Sequence, residues 1–112
     1  MSISIASETQ GEVLIFSPQG QLNSVNSAAA ETELVGHVSP SAKVALNFAK
    51  LDYISSAGLR VVLVLAKRLK QVDGRLVLFG LQPHVHEVFE ISGFLGILEV
   101  FDTREQALAR LT

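Results

Sequence analysis

At 112 residues with 48% hydrophobic side chains, the chain is long enough to enclose one core and short for two ordinary domains. A charged fraction of 18% and a net charge of −2 exclude both the basic footprint of a nucleic-acid binder and an acidic disordered tail. The absence of cysteine excludes disulfides, thiolate nucleophiles and thiolate metal sites. Met1-Ser2-Ile3-Ser4-Ile5-Ala6-Ser7 has neither the basic start nor the continuous apolar block of a signal peptide. The longest apolar stretch, Val61 to Ala66, is far short of the ~20 residues that cross a bilayer. The expectation is a single soluble cytoplasmic domain over residues 1–112, with no membrane partner.

Ile3 and Ile5 alternate with serines, and after a turn at Gln10-Gly11-Glu12 the run Val13 to Phe16 is apolar and β-favouring, so a hairpin is predicted, ended by Pro18 and Gly20. Ser24 to Val38 carries Ala30, Leu34 and Val38 at helical spacing and predicts an amphipathic helix. Ser39-Pro40-Ser41 breaks the chain, and Val44 to Phe48 reads as a buried strand leading to Ser55-Ser56. From Ala57 to Val72, Leu59, Val62, Leu63, Ala66 and Leu69 share one helical face, with Arg60, Val64, Lys67 and Gln71 forming a ribbon on the other. Asp73-Gly74 stops this helix, and Leu76 to Phe79 is an interior strand. Pro83 opens a helix bearing Val85, Val88 and Phe89, which Gly93 ends. A short strand around Leu98 to Phe101 follows, then a helix with Ala107, Leu108 and Leu111, started by a capping box of Thr103 and Gln106. A hairpin followed by alternating helices and strands predicts an α/β fold: a mixed, mostly parallel sheet with an N-terminal hairpin and about four crossover helices.

The serine pair at the start of the long helix has two readings. Serine is among the best N-cap residues, and it sits at many helix starts with no other duty. The same position faces solvent, and the free N–H groups and dipole there favour added negative charge, so it also suits a regulatory phosphate. Hydrolase chemistry would need a base from His37, His84 or His86 and a Gly-x-Ser-x-Gly elbow, but Ile54 and Ala57 flank the serines. His84 and His86 diverge by about 200° on a helix and cannot chelate as an i, i+4 pair does. No phosphate-binding glycine loop occurs, so no nucleotide cofactor is expected. What remains is the ribbon beside the serines, on which a docked partner would cover the hydroxyl.

The order of elements, with Leu46-Asn47-Phe48 and Leu51-Asp52-Tyr53-Ile54-Ser55-Ser56-Ala57-Gly58-Leu59, resembles the STAS domain family, specifically its single-domain bacterial anti-sigma factor antagonists. The likeness runs from the hairpin through Gly20-Gln21-Leu22-Asn23, Gly74, Pro83 and Phe89 to Ser92-Gly93. The resemblance implies that Ser56, two residues before Gly58, is the phosphoacceptor, with Ser55 the lesser candidate. It implies a non-enzymatic module that binds a GHKL-type serine kinase doubling as an anti-sigma factor, is released on phosphorylation, and is restored by a PP2C-type phosphatase. ATP would belong to the kinase. Docking would use Asn23, Ser24, Ser55, Ala57 and Gly58 around the turn, and Arg60, Val64 and Lys67 along the ribbon.

Where family members often carry aspartates, this chain has Asn23 and Ser55. Fewer carboxylates near Ser56 reduce repulsion toward an incoming phosphate and enlarge the charge contrast on modification. The same departures also fit a different kinase partner or weak phosphorylation. The alternative function is a structural STAS subunit of a transporter or signalling scaffold that is never phosphorylated.

Overall fold

The computed structural model describes residues 3–112. Strands β1 (Ile3–Gln10) and β2 (Val13–Leu22) form the expected antiparallel hairpin. They are followed by α1 (Ser27–Val35), β3 (Lys43–Asn47), β4 (Leu51–Ile54), α2 (Ser56–Gln71), β5 (Arg75–Phe79), α3 (Pro83–Ile91), β6 (Glu99–Phe101) and α4 (Arg104–Leu111). The capping box at α4 is present: the Gln106 amide donates to Thr103 Oγ1 at 3.2 Å, and the Thr103 amide donates to Gln106 Oε1 at 3.3 Å.

The sheet runs β1-β2-β3-β5-β6, with β4 also paired to β2. The β1–β2 pair is antiparallel and every other pairing is parallel, so the sheet is mixed and mostly parallel, as the alternation of elements predicts. Successive side chains point to opposite faces. Phe16, Val44, Leu46, Leu76 and Leu78 join one core with Leu34 of α1, Leu65 and Leu69 of α2, and Val85 and Phe89 of α3. Val13, Ile15, Ala45, Val77 and Phe79 form a second, smaller core with Ala107 and Leu111 of α4. Burial on both faces is why β3 and β5 read as continuous apolar runs.

Three departures from the sequence reading have identifiable physical causes. Pro18 and Gly20 do not end β2, which continues to Leu22. One edge of β2 pairs with β3 through Phe16 and with β4 from Gly20, so between those points a proline removes no ladder bond on that edge. Gly20, at φ 106°, takes up the register shift where β2 changes partner. The second departure is β4 itself, which lies between Phe48 and the serines. It spans four residues, of which Asp52 and Tyr53 are exposed, and so has no apolar pattern to announce it. Third, α1 is shorter than Ser24 to Val38, because side chains at its start hold residues 23–26 in a turn instead.

In α2 the buried residues are Gly58, Leu59, Val61, Val62, Leu65 and Leu69. The buried stripe is thus rotated from the face read in the sequence: Val61 and Leu65 are inside, while Leu63 and Ala66 are only half-buried on its flank. The helix ends in a Schellman motif, with the Gly74 amide donating to the Leu69 carbonyl at 2.7 Å and the Asp73 amide to the Lys70 carbonyl at 3.3 Å. The left-handed residue is Asp73, at φ 58°, rather than Gly74, whose hydrogen side chain is required because a Cβ would lie 2.7 Å from the Ala42 carbonyl oxygen. An L-residue in the left-handed region is strained, and a carboxylate at a helix C-terminus opposes the dipole. Asp73→Gly should therefore raise stability by about 0.5–1 kcal/mol after allowance for glycine's freer unfolded chain, read as a higher urea midpoint. An unchanged or lower midpoint would count against this account of the cap.

Candidate docking site at the start of α2

The chain leaves β4 at Ile54 and enters α2 at Ser56, and the two serines there are not equivalent. Ser55 is the N-cap: its backbone is extended, and its Oγ accepts the Gly58 amide N–H at 3.2 Å. Its carbonyl takes the Leu59 amide at 2.9 Å, the first bond of the helical ladder. Ser56 is the first helical residue and is exposed, and among the described residues its hydroxyl enters no hydrogen bond. The capping and phosphoacceptor readings thus divide between neighbours: one serine builds the helix start and the next is left facing solvent.

The β2–α1 loop lies against this turn. The Ser55 amide donates to the Leu22 carbonyl at 2.9 Å, and Leu22 pairs with Ile54. Gly58 closes the junction, because a Cβ there would lie 2.7 Å from Ile54 Cγ1 and 2.9 Å from both Cγ and the carbonyl oxygen of Leu22. Asn23, next after Leu22, accepts the amides of Val25 at 2.9 Å and Asn26 at 3.3 Å. Its own amide donates to Asn26 Oδ1 at 2.9 Å, and Asn26 Nδ2 donates to the Gln21 carbonyl at 2.8 Å. Asn23 therefore fixes the turn before α1 rather than capping the helix itself, whose N-cap is Asn26.

The structure brings Asn23, Ser55 and Gly58 together through Leu22, with Ser24 exposed on the same loop. Sequence reasoning missed Val25, which that loop presents with 83% of its surface exposed. Its apolarity is visible in the sequence, but its exposure comes only from the asparagine turn that holds it outward. Along α2, Arg60 and Lys67 are exposed and Val64 is half-buried, so the ribbon leads away from Ser56 as its spacing requires.

Two of the three histidines have side-chain partners elsewhere. The His37 ring meets Phe16 edge-on at 5.2 Å, the His84 imidazole contacts the Asp52 carbonyl, and no histidine hydrogen-bonds either serine among the described residues. Among those residues no cluster of acids and imidazoles could hold a metal ion, and no helix is long and apolar enough to cross a membrane.

The Ser56 hydroxyl thus faces solvent on a capped turn, bounded by the hydrogen-bonded asparagine loop and a polar helical ribbon, in a small single-sheet α/β domain. The chain belongs to the STAS domain family, whose model matches residues 4–107. It is 55% identical over 98 residues to BtrV of Bordetella bronchiseptica (strain ATCC BAA-588 / NCTC 13252 / RB50), a protein whose name assigns it provisionally to the anti-sigma factor antagonists; the match covers 87% of this chain and 84% of that one. The solved structure of the anti-sigma factor antagonist SpoIIAA in its unphosphorylated form superposes with a TM-score of 0.79 at 23% identity, covering 96% of each chain. The phosphorylated form of SpoIIAA from Bacillus gives 0.73 at 26% identity, covering 97% of this chain and all of that one.

Proposed function

We propose that this protein is an anti-sigma factor antagonist switched by phosphorylation at Ser56. Unmodified, it docks a GHKL-type serine kinase that is also an anti-sigma factor, using Ser55, Ser56, Ala57, the Asn23–Ser24 loop and the ribbon of Arg60, Val64 and Lys67, while buried Gly58 holds the turn against Leu22. Phosphorylated, it is released, and a PP2C-type phosphatase resets it. The observation that carries this reading is the division between the serines: the Ser55 hydroxyl is committed to the Gly58 amide, while Ser56 is exposed and available to a kinase. That SpoIIAA has been solved in both phosphorylated and unphosphorylated forms supports a switch that keeps the fold.

The local electrostatics agree. The first turn of α2 contains no acid, so its N-terminal dipole is uncompensated, and Arg60 follows Ser56 by one helical turn. A phosphate on Ser56 adds about −1.5 to −2 charges where the helix end favours them. The modification should leave the domain folded and act at the interface, where the same charge must be desolvated.

Incubation with the cognate kinase and ATP, followed by mass spectrometry, should place one phosphate on Ser56. Ser56→Ala should abolish it, whereas Ser55→Ala should keep it while lowering stability by about 1 kcal/mol through loss of the cap. Phosphate on Ser55 alone, or none on either serine, would overturn the assignment and favour the structural-subunit reading.

A further inference from the structure

At the far end of α2 an open groove of about 790 Å³ separates the helix from the β5–β6 edge of the sheet. Its walls are Leu63 and Ala66, half-buried on the flank of the α2 stripe, together with Leu98 and with Ile97, which is 70% exposed. Its polar rim is unbalanced. Lys67, Lys70 and Arg75 line it against one carboxylate, Glu99. Glu99 is already shared between Arg75 at 3.2 Å and Arg110 at 2.8 Å, whereas among the described residues neither Lys67 nor Lys70 pairs with an acid. A chain with a net charge of −2 thus places two unpartnered ammonium groups beside an apolar trough.

That combination is complementary to a segment that is apolar along one side and acidic beside it. Desolvated leucine-type side chains would fill the trough, and carboxylates at its edge would meet Lys67 and Lys70. We propose that this groove docks an acidic amphipathic helix of a partner protein, separately from the Ser56 turn. Lys70 lies fourteen residues beyond Ser56, roughly 21 Å along the helix axis. That is more than twice the ~8 Å over which exposed charges act at physiological salt. A phosphate on Ser56 therefore leaves the groove open to its occupant, whereas a partner seated on the ribbon of Arg60, Val64 and Lys67 shares Lys67 with it.

The test uses the full chain, labelled with 15N, and a synthetic peptide of about four helical turns with leucines on one face and glutamates flanking them. Two control peptides carry lysine in place of glutamate, or the same residues in an order that scatters the leucines. The acidic amphipathic peptide should shift the amide signals of Leu63, Ala66, Lys70, Ile97 and Leu98 in a saturable way. Lys67→Glu combined with Lys70→Glu should weaken binding about tenfold or more, with Lys70→Gln intermediate, and Ser56→Asp should leave it unchanged. Equal binding of either control peptide, shifts confined to other surfaces, or indifference to the charge reversal would overturn the proposal. So would self-association that covers the same residues before any peptide is added, which would make the occupant a second copy of this chain.

Discussion

Ser56→Asp should bind the partner kinase about 10- to 100-fold more weakly than the unmodified protein, whereas Ser56→Ala should bind fully and stay bound after kinase and ATP are added. An aspartate carries one charge where the phosphate carries about −1.5 to −2, so it reproduces part of the switch. Burying an unpaired charge in a protein interface costs about 2–5 kcal/mol when no partner group compensates it, and solvent leaking to an exposed turn brings the aspartate toward the lower end. The alanine variant loses a hydroxyl that makes no hydrogen bond within the described residues, so its fold should be unaffected. Titration calorimetry of the two variants with the purified kinase separates the outcomes. Equal affinity for both would reject electrostatic release as the mechanism.

Gly58→Ala should destabilise the domain although it replaces glycine by the best helix former. In an open helix that exchange gains about 1 kcal/mol. Here the added methyl would lie under 3.0 Å from three atoms, one of them the Leu22 carbonyl oxygen, which cannot swing away because β2 and β4 hold it in the sheet. Overpacking of this kind costs about 1–3 kcal/mol. The net effect should be a loss of up to about 2 kcal/mol, and Gly58→Val should lose more. A loss of 1 kcal/mol lowers the melting temperature by about 4–8 °C in a domain near this size. Relief of the clash requires the Asn23 loop and the serine turn to move apart, so kinase docking should fall alongside stability. An alanine variant as stable as the parent would show that the junction is not tightly packed.

Much of the architecture was legible because its signals are local or periodic. The apolar runs Val44 to Phe48 and Leu76 to Phe79 announce strands buried on both faces, and Thr103 with Gln106 announces the start of α4 within four residues. The features that escaped depend on neighbours distant in sequence. β4 exists because β2, some thirty residues earlier, offers it an edge, and Pro18 is tolerated because that edge is vacant between two partners. The rotation of the buried stripe in α2 toward Val61 and Leu65 follows from how the helix lies on the sheet, a geometry that 3.6-residue periodicity constrains only to within a residue or so.

For the site, the sequence by itself determined that two serines stand at a helix start and that Arg60, Val64 and Lys67 follow on one ribbon, because helical spacing is a property of the chain alone. It also determined, through the order of its elements, the family to which the chain belongs. Only the tertiary structure decided which serine is occupied as a cap, that the loop after Leu22 holds Val25 outward, and that Leu63 and Ala66 are left to line a groove with Lys67 and Lys70. Each of these depends on contacts closed across the fold, by the Ser55 amide on the Leu22 carbonyl and by the sheet beneath α2, and such contacts leave no period or spacing in the sequence to read.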